Sequence, residues 1–152
     1  MSTIVGTNIE VTNLKYDSDT TSMIISNAGQ VTIQGEGTNT TNLQQGLAKS
    51  WVNFNGSGSI AARDSLNLSS LDDNGTGLYD TNFSTAFASV NFAQAAICGN
   101  QSNNSTTNLT ARGYCGTTTT TSAGVEMHYT NAGGTVSTDQ SHLAVIYHGD
   151  LA

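Results

Sequence analysis

Glu126, His128 and His142 are the residues of this chain best suited to hold a transition metal. Neutral imidazoles backed by a carboxylate are ordinary ligands for zinc or nickel. Pairing the last two predicted strands so that their even-numbered residues share a face sets His128 near His142, with Glu126 one step away. Histidines hydrogen-bonded at an interface produce the same pattern and are commoner, so neither a metal nor another cofactor is expected. Cys98 and Cys115 each end a predicted strand and each precede a glycine. If those strands are hairpin neighbours the sulfurs lie opposite one another, and a disulfide closing such a loop contributes about 3 kcal/mol. Two buried thiols are the alternative. Asp72, Asp73 and Asp80 bracket a glycine-rich turn, and calcium takes clustered carboxylates. Asp and Asn also favour turns through their own hydrogen bonds, and the turn is the expectation here. The sequence holds no phosphate loop, HExxH, Cys-x-x-Cys or nucleophile elbow,, so no enzyme is expected.

Composition narrows the classes of partner. The 152 residues carry eleven acids against four cations, a formal charge of −7, with only 10% charged residues and no proline. That sign opposes nucleic-acid binding, which requires clustered Lys and Arg against phosphates. No apolar run approaches the length of a membrane span and no basic start leads into a signal-peptide core, so a soluble, unprocessed chain is expected,. The abundance of Thr, with little charge, favours sheet. Asn-x-Ser/Thr triplets such as Asn67 and Asn82 arise by chance in so polar a chain.

The elements that position these residues read as strands. Met23 and Ile25 share parity with Val31 and Ile33 across Asn27–Gln30, an N-terminal hairpin with one apolar face. Such a hairpin is marginal alone and must lie on another surface. Thr41 to Gln44 fits a capping box,, predicting a helix of about ten residues with Leu43, Leu47 and Trp51 along one side. Three copies sharing that stripe around an axis is one reading, a connector docked on the main domain the other. Trp51 stands at the join with the main domain, whose first strand alternates Val52 and Phe54 with Asn53 and Asn55 before an Asn55-Gly56 turn,. Further strands are expected from Ile60 to Leu68 with an irregularity near Arg63-Asp64, then around Tyr79–Phe83, Phe92–Cys98, Leu109–Cys115, Val125–Tyr129 and His142–His148. Asp72-Asp73-Asn74-Gly75 is the expected hairpin turn between the first and second of these. Tyr79, Tyr129 and Tyr147 are expected inside. The last strand is apolar on both faces, with Ala144 and Ile146 opposite Leu143, Val145 and Tyr147. A strand of that kind is covered on both sides, and a subunit interface is the economical cover. Any receptor contact is expected at the polar loop carrying Asn103 and Asn104, beside Tyr114, or at Asn131–Gln140,.

The segments AKSWVNFNGSG, RDSLNLSS and DDNGTGLYDTNFSTA, with the opening STIVGTNIEVTNLK and GQVTIQGEG, resemble small virion structural proteins of marine and cyanobacterial tailed phages, usually of tail-fibre-like type. The resemblance covers Ala48 to Ala86 and, loosely, the opening; the two cysteines and the polar insertion between them depart from it. It implies a homotrimeric all-β appendage on the virion exterior, attached to other virion proteins of tail or capsid through its N-terminal part. A host surface glycan is a further candidate partner; nucleic acid and membrane insertion are not expected. Synthesis in a reducing cytoplasm would then favour thiols over a disulfide. The expected fold is a jelly-roll-like antiparallel β-sandwich over residues 51–152, preceded by an attachment segment at 1–37 and a linker with a short helix at 38–50. Attachment and interface contacts are expected at Ile25, Val31, Ile33, Leu43, Leu47, Trp51, Ala144 and Ile146. A capsid decoration protein and a free carbohydrate-binding module are the alternatives.

Overall fold

The structure is a computed structural model, and it describes residues 13–15, 21–26, 29–34, 40–99, 108–114, 118–131 and 134–152. The chain divides into two units, Met1–Leu47 and Ala48–Ala152. Among the described residues it is β throughout apart from one helical turn, and no helix is long and apolar enough to cross a membrane.

The described residues of the first unit form a four-stranded antiparallel sheet in chain order: β1 (Asn13–Lys15), β2 (Thr21–Ile25), β3 (Val31–Gln34) and β4 (Thr40–Asn42). Met23 pairs with Ile33 and Ile25 with Val31, the register expected from their parity. Gly29, with φ of 75°, makes the turn between them, and the Gly29 amide donates to the Ser26 carbonyl at 2.8 Å. Met23, Ile25, Val31 and Ile33 are only half-buried. The helix α1 (Leu43–Gly46) is a single turn rather than the ten residues expected. Thr41 does not stand at the start of the helix: the preceding polar stretch forms β4 and pairs along β3, with Thr41 opposite Ile33. The stripe of Leu43, Leu47 and Trp51 therefore does not exist: Trp51 lies in a strand, and Leu43 and Leu47 are exposed.

Among the described residues the second unit holds nine strands: β5 (Ser50–Asn55), β6 (Ala61–Leu66), β7 (Leu68–Gly75), β8 (Leu78–Phe83), β9 (Ala93–Gly99), β10 (Asn108–Tyr114), β11 (Ser122–Asn131), β12 (Gly134–Ser137) and β13 (His142–His148). One sheet runs β6-β5-β13-β9, the other β10-β11-β8-β7 with β12 beside β11. Every pairing is antiparallel. The pairs β5–β6, β7–β8 and β10–β11 are each hairpins within one sheet.

The core lies between the two sheets. Val52 and Phe54 of β5 and Leu143, Val145 and Tyr147 of β13 meet Tyr79 and Phe83 of β8 and Val125 and Met127 of β11, all buried. Phe54 and Tyr79 touch edge to face at 5.3 Å between ring centroids, as do Phe83 and Tyr147 at 5.0 Å, a preferred aromatic geometry. Phe87, buried between the strands β8 and β9, adds to this cluster against Phe83 at 4.9 Å and Phe92 at 4.5 Å. Its segment is tied down by the chain's last residues, the Ala88 amide donating to the Asp150 carbonyl at 2.7 Å.

Local irregularities decide where the strands turn. Asn53 pairs with Asp64 and Phe54 with Ala62, so Arg63 is the extra residue of a bulge where the sequence led us to expect one,. Asn67, with φ of 56°, splits the expected Ile60–Leu68 strand and carries the chain from one sheet to the other. The next hairpin turns at Thr76-Gly77, later than expected, because Asp72 and Asp73 continue the strand opposite Asp80 and Tyr79. Gly77 has φ of 69° and faces the Met127 carbonyl, which a Cβ would meet at 2.5 Å. Gly56 needs no positive φ, contrary to the turn expected of it. It is glycine because a Cβ would stand 2.6 Å from the Tyr79 hydroxyl.

Candidate assembly surface

The outer face of the sheet β6-β5-β13-β9 is the surface that sets this molecule apart. Strand alternation sends Ser50, Val52 and Phe54 inward and leaves Trp51, Asn53 and Asn55 on the opposite face,. On β13, Leu143, Val145 and Tyr147 go inward and Ala144 and Ile146 outward. The pairings then align residues across the sheet. Leu66, Trp51, Ile146 and Ala95 form one transverse row over all four strands, and Asp64, Asn53, Ala144 and Ile97 the next. Ile97 is 70% exposed, Leu66 48% and Ile146 37%. Between the strands lies an open groove of ≈ 270 Å³ lined by Trp51, Asn53, Ala95, Ile97, Ala144 and Ile146. A smaller hollow of ≈ 170 Å³ continues it past Cys98 and His142.

Charge on this face is sparse. Its one acid is Asp64, and Arg63 lies across the same surface, donating from Nη1 to Asn53 Oδ1 at 3.4 Å and from Nη2 to the Ser141 carbonyl. This face presents an apolar band beside the Arg63–Asp64 margin, a surface for packing,.

The sequence singled out Trp51, Ala144 and Ile146, and all three lie on this face. It did not single out Leu66, Ala95 or Ile97. Those belong to the strands that register places beside Trp51 and Ile146, and strand order cannot be read from alternation alone. Ile25, Val31 and Ile33 lie in the first unit's sheet.

The metal constellation is not assembled. His128 sits on β11 in one sheet and His142 on β13 in the other, because β13 pairs with β5 and β9 instead of with β11. His128 is buried and its Nε2 meets Glu126 Oε1 at 2.8 Å, while Nδ1 lies 3.5 Å from the Ser137 hydroxyl. His142 Nδ1 lies 3.2 Å from the Ser141 hydroxyl. No group of three or more His, Cys, Asp or Glu among the described residues is placed to hold a metal ion. Cys98 is half-buried on β9 opposite Leu143; Cys115, its expected partner, lies outside the described residues, as do Asn103 and Asn104. The side chains of Tyr114 and Tyr129 are likewise outside them. Of the acids expected at the turn, Asp73 accepts from the Gly75 amide at 3.0 Å, a local bond of the expected kind, whereas Asp72 accepts across the strand pair from Asn82 Nδ2 at 2.8 Å.

Two polar clusters escaped the sequence reading. Asp139 Oδ1 accepts from the Gly77 amide at 2.7 Å and from the Tyr79 hydroxyl at 2.9 Å. The same hydroxyl lies 2.7 Å from the Gly56 carbonyl. Burial first, and then Asp139 beside it, raises the Tyr79 phenol above the ordinary tyrosine range. Elsewhere in the core, Thr81 donates its proton to the Ala123 carbonyl at 2.9 Å and so accepts from the Tyr147 hydroxyl at 2.6 Å. Burial raises the Tyr147 phenol as well. Both clusters fasten the sheets together.

Comparison of this chain with protein-family models, with curated proteins and with solved structures found no match.

Proposed function

We propose that this chain is a structural subunit of a virion, a homotrimeric surface appendage of tail-fibre type, and not an enzyme. The first unit attaches to other virion proteins, and the second is displayed on the particle exterior. The observation that carries this reading is the apolar band of Leu66, Trp51, Ile146 and Ile97, left in water by a single copy. Apolar surface returns roughly 25 cal/mol for each Å² removed from water, so a partner that covers the band is favoured over solvent. The resemblance of Ala48–Ala86 to phage structural proteins supplies the setting, and contact with a host glycan is assigned to the loop bearing Asn103 and Asn104.

The carbohydrate-module alternative needs a row of exposed rings. Among the described residues Tyr79, Tyr147, Phe54, Phe83 and Phe87 are buried and Trp51 is the ring on the outer face of β5, and that favours the structural reading. Size-exclusion chromatography with light scattering tests it: the purified chain should run at three times its 15.8 kDa mass at micromolar concentration. A monomer that binds glycans would displace the proposal. Immunogold labelling of intact particles distinguishes placement, with label on the tail expected and label on the shell supporting a decoration protein instead.

A further inference from the structure

We propose that Asn74 is a site of spontaneous covalent modification: in the folded chain its side-chain amide is lost through a cyclic imide, whereas Asn55, in the same dipeptide, is held inert. The chain contains two Asn-Gly pairs, Asn55-Gly56 and Asn74-Gly75. Glycine has no Cβ to shield its backbone nitrogen or restrict its rotation, so that nitrogen can reach the side chain of the asparagine before it. The fold treats the two pairs differently.

At Asn55 the side chain is tied at both ends. Nδ2 donates to the Ser57 carbonyl at 2.7 Å and to the Ser59 carbonyl at 3.3 Å, while Oδ1 accepts from the Ser57 amide at 3.3 Å. The nitrogen that would attack belongs to buried Gly56 and donates to the Gln140 carbonyl at 2.9 Å. Ring closure there has to break these bonds together. Asn74 is exposed and is the extra residue of a bulge, since Asp73 pairs with Tyr79 and Gly75 with Leu78,. Among the described residues no hydrogen bond holds its side chain. A Cβ built at Gly75 meets nothing within 4 Å, so the imide ring has room to form.

The reaction needs only water. The Gly75 nitrogen gives up its proton to solvent base and bonds to Asn74 Cγ; the Cγ–Nδ2 bond breaks, and Nδ2 takes up a proton and leaves as ammonia. Water then opens the imide at either carbonyl. One opening gives aspartate, the other isoaspartate, with the main chain rerouted through Cγ and a methylene longer. An unpaired bulge residue absorbs that length without shifting the ladder. Asp73 is the brake on this step. Its carboxylate accepts from the Gly75 amide at 3.0 Å, and a hydrogen bond to the neutral amide beside a negative charge opposes loss of its proton.

Peptide mapping by mass spectrometry tests this. The folded full chain, held in mildly alkaline buffer, should gain at Asn74 the mass that exchange of –NH2 for –OH brings, with isoaspartate in excess of aspartate. Asn55 should stay intact until urea unfolds the chain, and then both should react. In D73A, folded by the criterion of an unchanged thermal transition, loss at Asn74 should quicken several-fold. A folded chain that keeps Asn74, or loses Asn55 as fast, overturns the proposal. An equal or slower rate in D73A overturns the role given to Asp73.

Discussion

Asn67 holds φ of 56° at the corner where the chain leaves one sheet for the other. Asparagine tolerates this region better than other residues with a Cβ, and here its side chain is used twice. The Thr85 amide donates to Asn67 Oδ1 at 2.6 Å, and Asn67 Nδ2 donates to the Thr85 carbonyl at 3.0 Å. Asn67→Ala keeps the strain and loses both bonds, so urea unfolding should show a loss of about 2–3 kcal/mol. Asn67→Gly relieves the strain and should recover part of that; equal losses would mean that the bonds alone matter. Gly56 and Gly58 make a second contrast. Gly56→Ala drives a Cβ into the Tyr79 hydroxyl and Leu143 and should cost about 1–3 kcal/mol,. Gly58, with φ of 68°, has open space around it, so Gly58→Ala should cost only about 1 kcal/mol of backbone strain,.

At the scale of elements, two tyrosines fasten the sandwich, and their chemistry sets its response to alkali. Burial favours the neutral phenol in the folded state at both Tyr79 and Tyr147, so both folded pKa values lie above the unfolded one. A raised pKa means that the stabilisation is fully present below about pH 10, the ordinary tyrosine value, and is lost as pH rises beyond it. Each tyrosine should contribute a slope of about 1.4 kcal/mol per pH unit in that window. Urea midpoints measured from pH 8 to 11 should fall steeply above pH 10, and Tyr147→Phe should halve the slope; an unchanged slope would assign the alkaline loss to other groups. The inward alternation of Tyr79 and Tyr147 was legible in the sequence, because period two survives in β8 and β13. So were the bulge at Arg63 and the pairing of Met23 with Ile33. The partners were not. Which strand lies beside β13 is decided by connections that cross between sheets, and from alternation alone β11 was as good a neighbour as β5. That is why His128 and His142 were paired on paper and lie apart in the fold. Asp139 was missed for a related reason: it sits in the crossing after β12 and acts on Gly77 and Tyr79, far from it in sequence. The ten-residue helix was over-read from a spacing of four that also suits a chain passing from a helical turn into a strand.

At the scale of the whole molecule, the two units differ in how much of their own apolar surface they cover. The second encloses eleven buried hydrophobic residues between its sheets among those described. In the first, none of residues 23–26, 29–33, 43, 46 and 47 is buried, and Met23, Ile25, Val31 and Ile33 are half-exposed along one face of a sheet whose longest described strand has five residues. A small sheet of that kind gains too little from burial to offset the ordering of its backbone, about 1–2 kcal/mol per residue. Stability should therefore reside in Ala48–Ala152. A chain beginning at Ala48 should show the same cooperative thermal transition as the full chain, within a few degrees. A peptide of residues 1–47 should give no transition and a random-coil circular dichroism spectrum. The outer band of Leu66, Trp51, Ile146 and Ile97 belongs wholly to the second unit, so the shortened chain should retain the trimeric mass expected of the full one. A shortened chain that folds but runs as a monomer would assign the trimer contact to the first unit. One that fails to fold would show that the sandwich leans on residues 1–47, against the division of the chain argued here.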